Sequence, residues 1–321
     1  MGMENVTSSL PQLLDDDLLR SCHLCPHQCG VNRLRGEKGI CGLGGNMRLS
    51  QALPHLGEEP PLSGTRGAGT LFFSSCNLRC CFCQNDQISH HVVGEELSPK
   101  KLASYMLRLQ EQGCHNIEAV TPTPQLPQLI ASLQTAKEQG LTLPFVYNCS
   151  GYENPDMIRL LHGWVNIYLP DFKYGNEENA FAFSGIRNYS TYALASLQEM
   201  TKQVGYDLLL DGHGVATHGI IIRHLVLPGC TENSVTALSI LRNHFPPDIP
   251  ISLMSQYTPT TSVRTHPLLK RRITRSEYEL VVNYALDKGF EQLFIQEVDD
   301  RDICPDFDED TPFRWFDQDD P

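Results

Sequence analysis

Absent from this chain is any long apolar run. No stretch approaches the ~20 residues of a membrane helix, so no spanning helix is expected. Also absent is a leader: Met1 to Leu10 is polar and has no basic region followed by an apolar core, which argues against a signal peptide. Basic residues are in deficit, with 25 Lys and Arg against 38 Asp and Glu and a net charge of −13. Binding to a nucleic-acid backbone needs clustered Lys and Arg, so the balance argues against that partner. No internal repeat is present. Against this background twelve cysteines speak against a disulfide framework and for metal ligation in a reducing cytoplasm.

One cysteine group is itself short of a member. Cys76, Cys80 and Cys83 stand at C-x3-C-x2-C spacing, directly after the strand-like run Gly69 to Phe73. One short loop can wrap three thiolates around one centre. Tetrahedral zinc and a 4Fe–4S cube both take four ligands. Three thiolates leave one iron of a cubane open, or they form a zinc knuckle completed by a distant Cys or His. Cys81 starts on the other side of the extended loop and is not expected to be a ligand.

With Phe82 just before the last cysteine, this motif resembles the radical S-adenosylmethionine (AdoMet) superfamily. Cys-Phe-Cys-Gln-Asn at 81–85 is most similar to the pyruvate formate-lyase activating enzyme branch. The resemblance implies a 4Fe–4S cluster on Cys76, Cys80 and Cys83, with AdoMet chelated to the open iron. It implies one-electron cleavage of AdoMet to a 5′-deoxyadenosyl radical that takes a hydrogen atom from a substrate. It further implies an electron donor such as flavodoxin or ferredoxin. If the branch is a guide, the substrate is a glycyl residue of a partner enzyme; a peptide or small molecule is the alternative. A reading from a different class is an iron–sulfur electron carrier or metal scaffold without AdoMet chemistry.

A second group, Cys22, Cys25, Cys29 and Cys41, has C-x2-C-x3-C-x11-C spacing among Gly30, Gly36, Gly39 and Gly42. Four thiolates close a tetrahedral site, and zinc and a second iron–sulfur cluster both accept them. This knuckle is absent from the simplest activating enzymes. His23 and His27 read as surface residues. The segment 11–21 reads as a short helix, with Leu13, Leu14, Leu18 and Leu19 at helical spacing. Residues 50–68, rich in Pro and Gly, read as loop, and solvated loop is the default for His55, Glu58 and Glu59. Their place just upstream of the first strand can also bring them over a barrel mouth.

From 69 onward strand-like and helix-like segments alternate. Strands are expected at Thr70–Ser74, Asn116–Val120, Leu143–Tyr147, Val165–Leu169, Ile220–Leu227, Ile251–Gln256 and Gln292–Gln296. Between them lie helical patterns, opened by Ser98-Pro99, Asn154-Pro155 and Thr274 and stopped by Gly113, Gly140 and Gly289. Such alternation implies a parallel sheet with helices outside, and six or seven units fit a partial α/β barrel of (β/α)6 type. Three parts are expected: 1–63 with the knuckle, 64–300 as the barrel, and 301–321 as an acidic, solvated tail.

Barrel chemistry sits at the carboxyl ends of strands. After the second strand, Thr121-Pro122-Thr123-Pro124 stands where relatives carry a glycine-rich AdoMet motif, so Thr121 and Thr123 are offered as polar substitutes. The resemblance extends AdoMet contacts to Phe82, Asn85 and Asn148, and to Asp171 and Lys173, which share one face of an extended segment. Arg223, in an apolar strand, needs a partner: a carboxylate of AdoMet or substrate on one reading, a core Asp or Glu on the other. Ser255, Gln256, Gln296 and Glu297 are expected on the substrate side. Cys114, Cys149, Cys230 and Cys304 read as incidental thiols.

Overall fold

The helix signals act where they stand. Ser98 accepts a hydrogen bond from the Lys101 amide ahead of Pro99–Glu111, and Thr274 with Glu277 closes a capping box on Arg275–Asp287. Gly113, Gly140 and Gly289 follow helices at positive φ. The protein is described by a computed structural model covering residues 17–299 and 304–313.

Strands in chain order are β1 (Met47–His55), β2 (Ala68–Phe73), β3 (Glu95–Leu97), β4 (Ile117–Val120), β5 (Phe145–Cys149), β6 (Ile167–Pro170), β7 (Leu209–Leu210), β8 (Ala216–Ile220), β9 (Ile222–Leu225), β10 (Ile251–Met254) and β11 (Leu293–Ile295). The eight-stranded sheet has the order β3-β1-β2-β4-β5-β6-β8-β7, and a three-stranded sheet has the order β11-β10-β9. Within them β2-β4-β5-β6-β8 and β9-β10-β11 are parallel. Between β8 and β9 the Ile221 amide still bonds to Tyr168 O, while the Ile222 amide turns to Pro250 O. The chain changes sheets there, and an Asp171–Arg223 bridge keeps the two sheets in register. The result is a curved, open α/β barrel.

Three expectations need correction. Residues 50–68 are not all loop, because β1 runs to His55 and pairs antiparallel with β2 from Leu49↔Phe73 to His55↔Ala68. Its Pro54 is tolerated because β3 pairs only with Met47–Leu49, so nothing on that side requires its amide. The single strand expected at Ile220–Leu227 is split by the change of sheet. The acidic tail is not wholly solvated: Phe307 is buried against Phe72 and Ile88, while Asp308, Glu309 and Asp310 are exposed. Of the 11–21 helix, Asp17–Arg20 is helical; residues 11–16 lie outside the described residues, as do Asp317–Asp320. Among the described residues no helix is long and apolar enough to cross a membrane.

Candidate active site at the carboxyl ends of the strands

Because β2, β4, β5, β6, β9 and β10 run in one direction, their exits meet at one end. A cavity of about 310 Å³ lies there. Cys76, Cys80, Cys83, Phe82 and Asn85 line it from the loop after β2. Thr121, Asn148, Asp171, Lys173 and Arg223 line it from the other strands. Cys81 does not; its amide is spent on Phe183 O.

The three sulfurs are held by donors. The Leu78 amide reaches Cys76 Sγ at 3.3 Å, Ser89 Oγ reaches Cys83 Sγ at 3.2 Å, and Ser184 Oγ reaches Cys80 Sγ at 3.0 Å. Burial, then the charge of Cys80, pushes the Cys76 thiol up to about 12 and the Cys83 thiol up to about 11. Thiols so disfavoured as bare thiolates suit a site whose charge is supplied by bound metal. Among the described residues no three Cys, His, Asp or Glu side chains stand at the spacing of a single-ion site. The ligands of one zinc lie ~2.3 Å from it, whereas a cubane spreads its thiolates over separate irons, so this observation bears on a mononuclear site and not on a cluster. Three thiols on one loop, lining one cavity and each met by a hydrogen-bond donor, are a donor set that fits a cluster with three protein ligands.

Opposite the sulfurs is a buried charge network. Arg223 donates to Asp171 Oδ1 at 2.9 Å, to Glu58 Oε1 at 2.9 Å and to Asn148 Oδ1 at 2.7 Å. Asn148 in turn donates to Glu118 Oε1 at 2.6 Å. Lys173 Nζ is 2.5 Å from Asp171 Oδ2. Burial alone would raise the Asp171 carboxyl, but Arg223 and Lys173 outweigh it and hold it below its ordinary value. Burial would lower Lys173, yet Asp171 and Cys80 bring it up to about 12. Glu58 is pushed up to about 8 by burial and by Glu118, against the pull of Arg223. His55 is lowered to about 3 by burial and Arg223, so its ring is neutral.

Arg223 thus follows the second of its two sequence readings, since its guanidinium is engaged by protein carboxylates and an amide. Thr121 and Thr123 separate: Thr121 lines the cavity, whereas Thr123 is buried and donates to Glu153 at 2.8 Å. Thr121 holds φ 58° with its amide on Asn148 O, a conformation rare for a β-branched residue and typical of functional sites. Phe82 packs edge-on among Tyr174, Phe183 and Tyr257. Gln256 lines the cavity and its carbonyl accepts from Gln84, while Ser255, Gln296 and Glu297 bond to one another behind it.

Several lining residues carried only weak sequence signals. His55 and Glu58 arrive from the end of β1 and the turn after it, and Cys149 and Ser150 from β5. Ser150 Oγ is buried and has no hydrogen-bond partner among the described residues, leaving it available to a ligand. Pro305 and Phe313 roof the cavity from the tail, with Phe313 4.3 Å from the His55 ring centroid. Gly151 explains how two exits approach so closely: at φ 79°, a Cβ there would lie 2.1 Å from Asp171 O.

The knuckle lies on the outer side of the cysteine loop. The Cys22 amide bonds to Val31 O and the Gly30 amide to Cys22 O, closing the turn that carries Cys25 and Cys29. The Cys25 thiol feels the charge of Cys41 and Cys22, and Cys41 that of Cys22 and Cys29. His27 is half-buried, not a surface residue, with Nε2 2.7 Å from Asn77 O.

Comparison with known proteins agrees with the fold and the loop. The family model for the radical SAM superfamily matches residues 70–238, just over half of the chain. The protein MJ0674 of Methanocaldococcus jannaschii is 30% identical over 293 residues, covering 86% of this chain and 79% of that protein. Methylornithine synthase (PylB) superposes with a TM-score of 0.50 at 14% identity, over 71% of this chain. The match spans 63% of methylornithine synthase, under two thirds of its length, and at that identity it speaks for the fold alone. On the family match and the length of the sequence match, the chain belongs to the radical SAM superfamily.

Proposed function

We propose that this chain is a radical AdoMet enzyme that removes a hydrogen atom from a glycyl residue of a partner enzyme, with a flavodoxin- or ferredoxin-type protein as electron donor. The observation that carries the radical reading is the three-thiolate loop at one wall of a cavity whose other wall is Asp171, Lys173 and Asn148. The glycyl target rests on the activating-enzyme resemblance of 81–85 together with the Asp-x-Lys pair and Arg223. A 4Fe–4S cluster and AdoMet, if bound between these walls, would supply one-electron reductive cleavage of AdoMet and hydrogen-atom abstraction.

The chain's own residues position and exclude. Cys76, Cys80 and Cys83 hold the cluster, and the Ser89 and Ser184 hydroxyls orient two of the sulfurs. Asp171, ionised at neutral pH, accepts from ligand hydroxyls. Lys173 supplies positive charge beside Cys80 and Cys83 for a carboxylate already on the metal. Phe82, Asn85, Thr121 and Asn148 complete the AdoMet wall, and Arg223 keeps Asn148 and Asp171 aimed. Pro305 and Phe313 keep water from the radical side.

A small molecule or short peptide is the second reading. The roof over the cavity favours it, because a folded partner has to thread its glycyl loop past Phe313. Incubation of the reduced enzyme and AdoMet with candidate partners separates the two. A glycyl-radical doublet in the partner's EPR spectrum, lost on α-deuteration of its glycines, supports the first. Deuterium passing from a labelled small molecule into 5′-deoxyadenosine, with no protein radical, replaces it with the second.

A further inference from the structure

The cysteine loop is held in an unfavourable backbone shape partly by residues from outside the barrel. Ser75 and Arg79, one residue before Cys76 and one before Cys80, are non-glycine residues at φ 72° and 56°. Such positions persist only when their surroundings over-determine them. The knuckle supplies one side of these surroundings; on the other, Ile88 O accepts from the Ser75 amide, His90 O from Arg79 and Tyr152 O from Asn77. Ser75 Oγ donates to the Cys41 carbonyl, Arg79 donates to Ile40 O at 3.4 Å, and His27 Nε2 lies 2.7 Å from Asn77 O between them. Alternate residues of the cluster loop, 75, 77 and 79, are therefore fastened to the segments that carry Cys25, Cys29 and Cys41.

The knuckle brings its four cysteines within electrostatic reach of one another, Cys25 of Cys41 and Cys22, and Cys41 of Cys22 and Cys29. At Gly39 a Cβ would lie 2.4 Å from Cys29 Sγ, so the missing side chain leaves that sulfur its present place beside the Ile40–Cys41 turn. The Ile40 side chain is exposed. A short, glycine-rich segment of this kind has little apolar core to define it, with Leu19, Cys22 and Leu24 its buried cluster.

We propose that Cys22, Cys25, Cys29 and Cys41 bind a tetrathiolate metal centre, and that this centre acts as a clamp setting the Ile40–Cys41 carbonyls and His27 against the back of the cluster loop. The four side chains do not stand at single-ion spacing beforehand; the metal draws them together, releasing the thiol protons as it binds. Zinc and iron of a 4Fe–4S cluster share the tetrathiolate chemistry, and metal analysis distinguishes them. The clamp rests on the radical AdoMet reading only for what the loop carries; the metal site stands without it.

The test begins with the full-length Cys76→Ala, Cys80→Ala, Cys83→Ala protein, isolated without oxygen. Retention of one zinc, or about four irons with matching sulfide, that further substitution of Cys25→Ser and Cys41→Ser removes, supports the site. A chain that binds neither metal and titrates as free thiols or disulfides overturns it. In the chain with an intact cluster loop, Cys41→Ser should speed chelator removal of iron from the loop cluster at least about tenfold, the range seen when outer-shell support is lost. His27→Gln and Ser75→Ala, which keep the knuckle metal, should each give part of that acceleration, guarding against simple misfolding of Cys41→Ser. Iron release at the parental rate in all three overturns the clamp. Knuckle metal in a protein that never cleaves AdoMet leaves this inference standing and defeats the radical reading alone.

Discussion

Replacing Arg223 by Met deletes the cation at the centre of the cavity wall while keeping most of its apolar volume. Three hydrogen bonds go, those to Asp171, Glu58 and Asn148. Asp171 keeps Lys173 at 2.5 Å, so it stays compensated. Glu58 loses the cation that bonds it, but with a pKa of about 8 it carries a proton at pH 7 and is not left as a buried anion. What is lost is one charge-assisted bond of ~1.5–3 kcal/mol and an amide oxygen left unpaired at ~1–3 kcal/mol. The sum, about 3–5 kcal/mol, matches the usual loss on breaking a buried ion pair. For a chain of 321 residues it corresponds to a fall in melting temperature of about 4–8 °C, read by anaerobic scanning calorimetry at pH 7. Arg223→Lys should recover less than half, because an ammonium cannot reach three divergent acceptors. A fall under about 1.5 °C (about 1 kcal/mol) would show that the network is solvated and refute the reasoning.

Glu58 also sets a pH dependence. Its folded pKa lies above the unfolded value of 4.5, so the folded state binds the proton more tightly; its contribution is complete below pH 4.5 and is lost as pH rises through about 8. Stability should fall between pH 4.5 and about 8, and Glu58→Gln should flatten that slope; an unchanged slope excludes Glu58 as its source. Gly151→Ala places a Cβ 2.1 Å from Asp171 O at φ 79°, and should destabilise by more than the ~0.4–1 kcal/mol that Gly→Ala gains at an unstrained position, with weakened AdoMet binding in equilibrium dialysis. Ser184→Ala removes the donor to Cys80; losing ~0.5–1 kcal/mol of sulfur hydrogen bonding should lower the cluster potential by roughly 20–40 mV in an EPR redox titration. Phe307→Ala should undock the roof, exposing 304–313 to protease while melting of the barrel changes little.

The strands and the cysteine loop were legible because their signals are local: apolar runs, caps and three thiols at fixed spacing. The cavity's other contributors are non-local. Glu58 reads as a loop residue until β1 pairs with β2 and delivers it to Arg223, 165 positions away. Pro54 concealed β1, since only the register with the short β3 shows that its missing amide has no partner. The break at Ile221 has no local marker, because Ile220, Ile221 and Ile222 read as one apolar, β-branched run across it. In the tail, the abundance of Asp and Glu concealed Phe307 and Phe313, which dock while the acidic residues between them stay in water.

The open coordination position is tested most directly by mixing the anaerobically reconstituted, dithionite-reduced protein with AdoMet and measuring 5′-deoxyadenosine. Production by the parental chain, abolished in Cys76→Ala, Cys80→Ala, Cys83→Ala and retained in Cys81→Ala, is the predicted result. Reversible reduction of a stable cluster with no 5′-deoxyadenosine would contradict it, and would make this chain an electron carrier on a radical SAM scaffold.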